Sequence, residues 1–299
     1  KISTGTGIPA ATHKNISIKE VWIMINVAIL GAGGIAAKMA KTLAGMIDRG
    51  GDAVAMHSVA SRDGERSMRF AREYGFEKAY GSYEEMLRDP DVDLVYVATP
   101  HSHHYEHMKL CLQHGKHVLC EKAFTVNARQ AEEVIALARS KGLYIAEAIW
   151  TRYLPSRRMI DDLIADGAIG TPRMVTANLA YVLGHVERMY KPDLAGGALL
   201  DLGVYTLNFA SMVLGSNVTA IQSAVQMQET GVDMQESITL TYADGSMAVL
   251  CSAMNCRGDS HGVIYGTKGC LTADDVNNPT VITVAPADKT KPAQTDNVP

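Results

Sequence analysis

The sequence predicts an α/β protein: an N-terminal doubly wound parallel sheet followed by an α+β domain whose open sheet is mainly antiparallel. Three observations carry this expectation. Between residues 25 and 148, short apolar runs alternate with amphipathic helical stretches, the pattern of a parallel sheet covered on both faces. After a helix at 156–165 the rhythm changes to longer alternating runs separated by tight turns, which is antiparallel chemistry. The first apolar run also leads directly into a glycine-rich loop that opens a helix, as doubly wound sheets begin.

In the first half, strands are expected at 25–30, 53–60, around Ala79, at 94–98, 117–120 and 144–148. Helices fall between them at 34–47, 64–74, 83–88, 103–114 and 128–140. Gly75, Gly115 and Gly142 follow three of these helices, where left-handed C-caps favour glycine. In the second half, strands are expected at 173–182, 219–226, 236–242 and 246–253, with one long helix at 197–214. Asp244-Gly245 lies between two alternating runs, a strong hairpin signal, and 266–269 reads as another turn. Residues 285–299 are polar and contain prolines, so they read as loop or tail.

With 299 residues, 47% of them apolar and 20% charged, the chain can bury two cores. A formal net charge of -4 gives no general attraction to nucleic acid or anionic membranes, so neither is expected as a partner. No apolar run approaches the roughly 20 residues that cross a bilayer. Five irregularly spaced cysteines argue against a disulfide framework and for a reducing compartment, the cytoplasm by default. Residues 1–23 precede Met24 and read as a leader, tag or arm.

The loop Gly31-Ala32-Gly33-Gly34-Ile35-Ala36 fits G-x-G-x-x-G/A. Gly31 permits the tight turn and Gly33 lets backbone approach a pyrophosphate. Ala36 keeps helix and strand close, and the free N–H groups of Gly34 and Ile35 begin a helix whose dipole favours an anion. This is the start of a Rossmann nucleotide site. The second strand ends in Ala60-Ser61-Arg62, where an NAD site usually places an acid against the ribose 2'-hydroxyl. A hydroxyl and a guanidinium there suit a 2'-phosphate, so NADP is favoured over NAD. Asp63 is read as the cap of the next helix.

The fourth and fifth strands end in Thr99-Pro100-His101-Ser102-His103-His104 and Glu121-Lys122-Ala123, facing the crevice where such sheets bind ligands. A lysine ending a buried strand is solvated or functional. In the second half, Asp201 and Tyr205 are four residues apart, hence on one face of the expected helix. A tyrosine beside a lysine can pass a proton during hydride transfer. His101, His103, His104 and His107 with Cys111 raise the question of a metal. No partner has ligand spacing, so no metal is expected.

In order and spacing these pieces resemble the glucose-fructose oxidoreductase and inositol dehydrogenase (Gfo/Idh/MocA) family over about 25–284. The run at 146–155 is similar to the branch of dimeric dihydrodiol dehydrogenase and NADP-dependent xylose dehydrogenases. The resemblance implies Lys122 as catalytic partner, Tyr205 as proton donor or acceptor, and Trp150 and Arg152 beside the cofactor. Asp201 is expected to orient substrate or tyrosine. Thr99, Pro100, His104 and Glu121 join the cofactor site. Ala123 stands where many members have proline, and Tyr205 where many sugar and inositol members have histidine. The family's final strand and helix are not recognisable before Pro299, so an incomplete C-terminus is expected.

The domains expected are therefore 24–148 for the dinucleotide and 149–299 for substrate and oligomerisation, the free face of the second sheet joining a homodimer or homotetramer. The function expected is hydride transfer between NADP(H) and a hydroxyl or carbonyl of a sugar or related cyclic diol. Two other readings stay open: tightly bound NADP coupling two sugar half-reactions, and a non-catalytic nucleotide sensor.

Overall fold

The computed structural model describes residues 24–51 and 53–298. The expected leader or arm at 1–23 lies outside the described residues. The first half forms β1 (Ile25–Leu30), α1 (Gly34–Asp48), β2 (Val54–Ala60), α2 (Gly64–Tyr74), β3 (Lys78–Tyr80), α3 (Tyr83–Arg88), β4 (Leu94–Val97), α4 (His104–Gln113), β5 (His117–Cys120), α5 (Ala128–Ser140) and β6 (Ile145–Glu147). The strands pair in parallel in the order β3-β2-β1-β4-β5-β6. The order reverses between β1 and β4, and the carboxyl ends of those two strands make the crevice that binds ligands in this architecture. Ala28, Ile29 and Leu30 are fully buried, as expected for a central strand covered on both faces.

The helix starts differ in a way that matters later. Asp63, Ser82 and Asn127 cap α2, α3 and α5 by accepting the N–H three residues on, satisfying groups that the helices leave free. No side chain caps α1. The expected capping role of Asp63 is thus what its carboxylate does, at 3.1 Å from Arg66 N.

The second half contains α6 (Pro155–Ala165), β7 (Pro172–Ala180), α7 (Val204–Leu214), β8 (Val218–Met227), β9 (Asp233–Tyr242), β10 (Met247–Ala253), β11 (Gly262–Gly266), β12 (Gly269–Ala273), β13 (Val281–Pro286) and β14 (Gln294–Asn297). They form an eight-stranded sheet in the order β14-β13-β12-β11-β7-β10-β9-β8. Every pair is antiparallel except β7 with β10. One face packs under α7, where Leu179, Leu250, Ile264 and Phe209 close a single apolar core. Pro192–Leu214 is apolar enough in composition to cross a bilayer, yet it is more than half buried and sits as this core helix.

Two expectations fail here. The stretch 285–299 is not a plain tail, because Val281–Pro286 and Gln294–Asn297 pair as a hairpin. Thr283 and Thr295 face each other across it, and the polarity comes from its edge position. The long helix at 197–214 is not uniform either. Residues Leu199–Gly203 form a π turn before α7 begins.

Candidate active site

Residues from both sheets converge outside the carboxyl ends of β4 and β5. Gly31, at φ 109, is held against the next strand, where a Cβ would stand 2.9 Å from the Ala98 carbonyl; only glycine allows that approach. A Cβ on Gly33 or Gly34 would meet nothing within 4 Å, so the loop leaves open space over the uncapped start of α1. Ala36 is fully buried beneath it and Ile35 is exposed. Free N–H groups, a positive dipole end and room for an anion fit a pyrophosphate.

At the end of β2 the geometry departs from expectation. Ser61 is buried, and its hydroxyl lies 2.6 Å from the Asp63 carbonyl and 2.8 Å from Ser67 Oγ. It closes the turn and is spent there. Arg62 is exposed, and Arg66, which sequence reasoning missed, donates from Nε to the Ala32 carbonyl of the glycine loop at 2.9 Å. Its signal was available, since Arg66 lies in the first turn of α2, directly after the second strand.

The turns after β4 and β5 are tied together by His104. Its ring is fully buried, with Nδ1 2.7 Å from the Ala123 carbonyl and Nε2 2.8 Å from the Thr99 carbonyl. Burial holds the imidazole below its ordinary range, so the neutral ring donates to one carbonyl at a time. Pro100 precedes the short turn His101–His103, and the Lys122–Ala123 peptide is cis. Glu121 accepts from the Tyr96 hydroxyl and from Lys122 N. Burial raises its carboxyl above the usual range, with those donors opposing. The histidines do not converge as a ligand set: His101 Nδ1 faces the Ala195 carbonyl and His107 Nδ1 faces Thr99 Oγ1.

Lys122 crosses to the second half of the chain. Its Nζ donates to the Asp201 carbonyl at 2.8 Å and to Asp201 Oδ1 at 3.0 Å, and lies 5.0 Å from the centre of the Tyr205 ring. Arg188 donates to the same Oδ1 at 3.0 Å. Burial works against the Asp201 charge, but Lys122 and Arg188 outweigh it and hold the carboxyl below the usual carboxylate range. Beside them His101 is pushed by burial down to about 4 and is neutral. Asp201 therefore holds two cations in place, one of them beside the Tyr205 ring. Sequence reasoning missed Arg188 and His101 as partners, because both reach Asp201 only through folding.

Tyr205 is buried, and Trp150 donates its indole N–H to the phenol oxygen at 3.1 Å. Burial pushes the phenol above its ordinary value, with the Trp150 bond opposing. The neutral phenol is thus the form present near neutrality, and it is a proton donor. Trp150 is 40% exposed, so it walls the site instead of filling a core. Arg152 turns to Ser211 Oγ on α7 at 3.0 Å, well along the helix from Tyr205. An ammonium, a neutral phenol and an anion cradle facing one crevice form the group set for moving a hydride and a proton together.

Comparison with known proteins decides the family. Residues 25–148 match the family model described as oxidoreductase family, NAD-binding Rossmann fold, and 158–272 match the Gfo/Idh/MocA C-terminal domain. The chain belongs to the Gfo/Idh/MocA oxidoreductase family. It is 39% identical over 228 residues to the trans-1,2-dihydrobenzene-1,2-diol dehydrogenase of Mus musculus, covering 76% of this chain and 68% of that protein. The same enzyme of Bos taurus is 42% identical over 213 residues, covering 71% and 64%. These matches span about two thirds of the relatives' own length.

Among solved structures, a 3-ketoreductase from Actinomadura kijaniata, in complex with NADP and TDP-benzene, superposes with a TM-score of 0.84 at 28% identity, covering 93% of this chain and 85% of that one. An aldose-aldose oxidoreductase from Caulobacter crescentus shares the fold, with a TM-score of 0.83 at 23% identity over 93% and 84% of the two chains.

Proposed function

We propose that this Gfo/Idh/MocA chain transfers a hydride between NADP(H) and a hydroxyl or carbonyl carbon of a cyclic trans-diol or sugar. The observation that carries the reading is the contact of Lys122 with Asp201 and the Tyr205 ring across the two sheets. In this reading 24–148 holds the nucleotide, and 149–299 supplies the substrate side and the oligomer contact. When bound, the nicotinamide supplies or accepts the hydride. Gly31, Gly33, Gly34, Ile35 and Ala36 hold the pyrophosphate, with Thr99, Pro100, His104 and Glu121 shaping the nicotinamide side. Tyr205 gives its phenolic proton to the carbonyl oxygen in reduction and recovers it in oxidation. The Lys122 ammonium stabilises the charge that develops there. Trp150 orients the phenol, and Arg152 steadies α7.

The substrate class rests on the diol dehydrogenases named above and on Tyr205. NADP over NAD rests on Arg62, exposed at the end of β2, on Arg66, whose Nε reaches the Ala32 carbonyl of the glycine loop, and on the NADP found in the ketoreductase. Screening trans-diols, aldoses and inositols with NADP and NAD side by side tests the function. If no substrate turns over while nucleotide binds, the sensor reading replaces it. Replacing Arg62 and Arg66 together by alanine should raise KM for NADP at least tenfold, roughly 1–3 kcal/mol of lost charge-assisted bonding. KM for NAD should move little. Equal weakening of both nucleotides rules out a 2'-phosphate role.

The second sheet supports a homo-oligomer. Its uncovered face exposes Met174, Met247, Val249 and Tyr265, and the edge strand β8 exposes Ile221 and Val225. A long apolar edge invites pairing unless covered. Val249→Glu with Met247→Lys should shift the protein to monomers in light scattering. An unchanged mass would place the contact elsewhere. The five cysteines are unpaired, which fits a reducing compartment such as the cytoplasm.

A further inference from the structure

Two carboxyl groups on β9 lie under the π turn that carries Asp201, and the chemistry above does not use them. Asp233 accepts the N–H of Leu199, the first residue of the turn, at 2.5 Å. It sits where a side chain on Gly197 would go, its Oδ1 against that Cβ position, and Gly197 has φ 111. Glu236 lies under Gly203, the last residue of the turn, with Oε1 2.8 Å and Ser252 Oγ 3.2 Å from where a Cβ would stand. The strand therefore grips both ends of a five-residue turn through two side chains three positions apart. Glu236 is 6% exposed, and neither of its oxygens has a hydrogen-bond partner among the described residues. A buried carboxylate without a donor is strongly disfavoured, so the group carries its proton.

We propose that Glu236 is a positioning residue that sets the shape of the 199–203 turn and through it the places of Asp201 and Tyr205. This rests on the reading of Lys122 and Tyr205 as the reacting pair. π turns are wide and rare and recur at functional sites, and here the width is filled from below. Protonated, Glu236 stays buried under Gly203 without a charge, while Asp233 accepts from Leu199. Ionised, it would set a buried charge under the turn and near half-buried Asp233, and the two carboxylates would repel. Burial, with Asp233 adding to it and Ser252 opposing, pushes Glu236 up to about 7. The Ser252 hydroxyl lies opposite it on β10, and the neighbouring Cys251 thiol feels its charge.

The test uses the full chain with NADPH and the best carbonyl substrate from the screen. In the wild type, kcat for reduction should fall roughly tenfold between pH 6 and pH 8.5, following a single ionisation. In Glu236→Gln, which is uncharged at every pH, the profile should be flat within about twofold, with KM for NADPH unchanged. An infrared pH titration should show a carboxylic-acid carbonyl band in the wild type that disappears over the same range and is absent from the variant. Should the variant not fold, the wild-type infrared titration decides alone. Superimposable pH profiles, or no such band in the wild type, overturn the proposal. A flat variant profile alongside an active Lys122→Met protein would instead leave the turn's role standing and discard the reacting pair.

Discussion

Lys122→Met is expected to lower kcat/KM by about three orders of magnitude while NADP still binds, since general-acid and electrostatic contributions of this kind run to roughly 10²–10⁴-fold. The ammonium is 14% exposed, so little solvent screens it. It lies over the Tyr205 ring and is held by Asp201 through a carbonyl and a carboxylate bond. Methionine keeps the length of the side chain and removes the charge. It leaves Asp201 with Arg188 as its remaining cation, and an incompletely paired buried carboxylate costs about 1–3 kcal/mol of stability. Asp201→Asn in the same protein should restore most of the melting temperature but none of the rate. That split separates the lysine's chemistry from its structural charge balance. Full turnover in the single variant removes Lys122 from the mechanism.

Arg188→Ala should act differently. Arg188 is 44% exposed, and Lys122 remains on Asp201 without it. The wild-type arrangement has two cations on one oxygen, which explains how the carboxylate stays ionised although it is buried. The loop that carries Arg188 runs from β7 toward the turn at Leu199, so this segment supplies part of the charge balance at Asp201.

The parallel sheet was legible because its strands announce themselves: Ile25–Leu30 is apolar but for Asn26, Leu94–Val97 is a run of apolar and aromatic residues, and glycines close three of the helices. Lys122 and Tyr205 stood out by residue type and position, and the fold brings the ammonium within 5.0 Å of the ring centre. What remained hidden is of another kind. The strands β11 to β13 are short, and a distant partner starts the series: β11 lies against β7, and β12 and β13 follow it, each paired with the strand before. The π turn is invisible to a periodicity count, because the side chains beneath it, Asp233 and Glu236, come far later in the chain. Ser61 carried the right chemistry for a phosphate and used it on its own turn. A side chain's partner is a property of the fold, and a hydroxyl near a ligand site has local competitors for every bond it can make.

Tyr205→Phe isolates the proton from everything else in the site. The ring stays, so the contact with Lys122 and the edge-on packing of Trp150 at 6.5 Å are kept, and only the phenolic O–H is lost. The rate of reduction should fall by about 10²–10⁴-fold with KM for NADPH unchanged, the mark of a group that acts in the transition state. The pH dependence gives the sharper test. Burial holds the phenol above its ordinary value, so the donor form persists through neutrality and is lost only in strong alkali. Tyr205 therefore supplies no descending limb near pH 7, and its removal should lower the whole profile without moving the limb assigned to Glu236. If the phenylalanine variant loses that limb, the ionisation near 7 belongs to the tyrosine and Lys122 depresses it far more than the geometry implies. If the rate does not fall, a water must carry the proton, and Trp150, with its N–H no longer held by the phenol, is the side chain free to hold it.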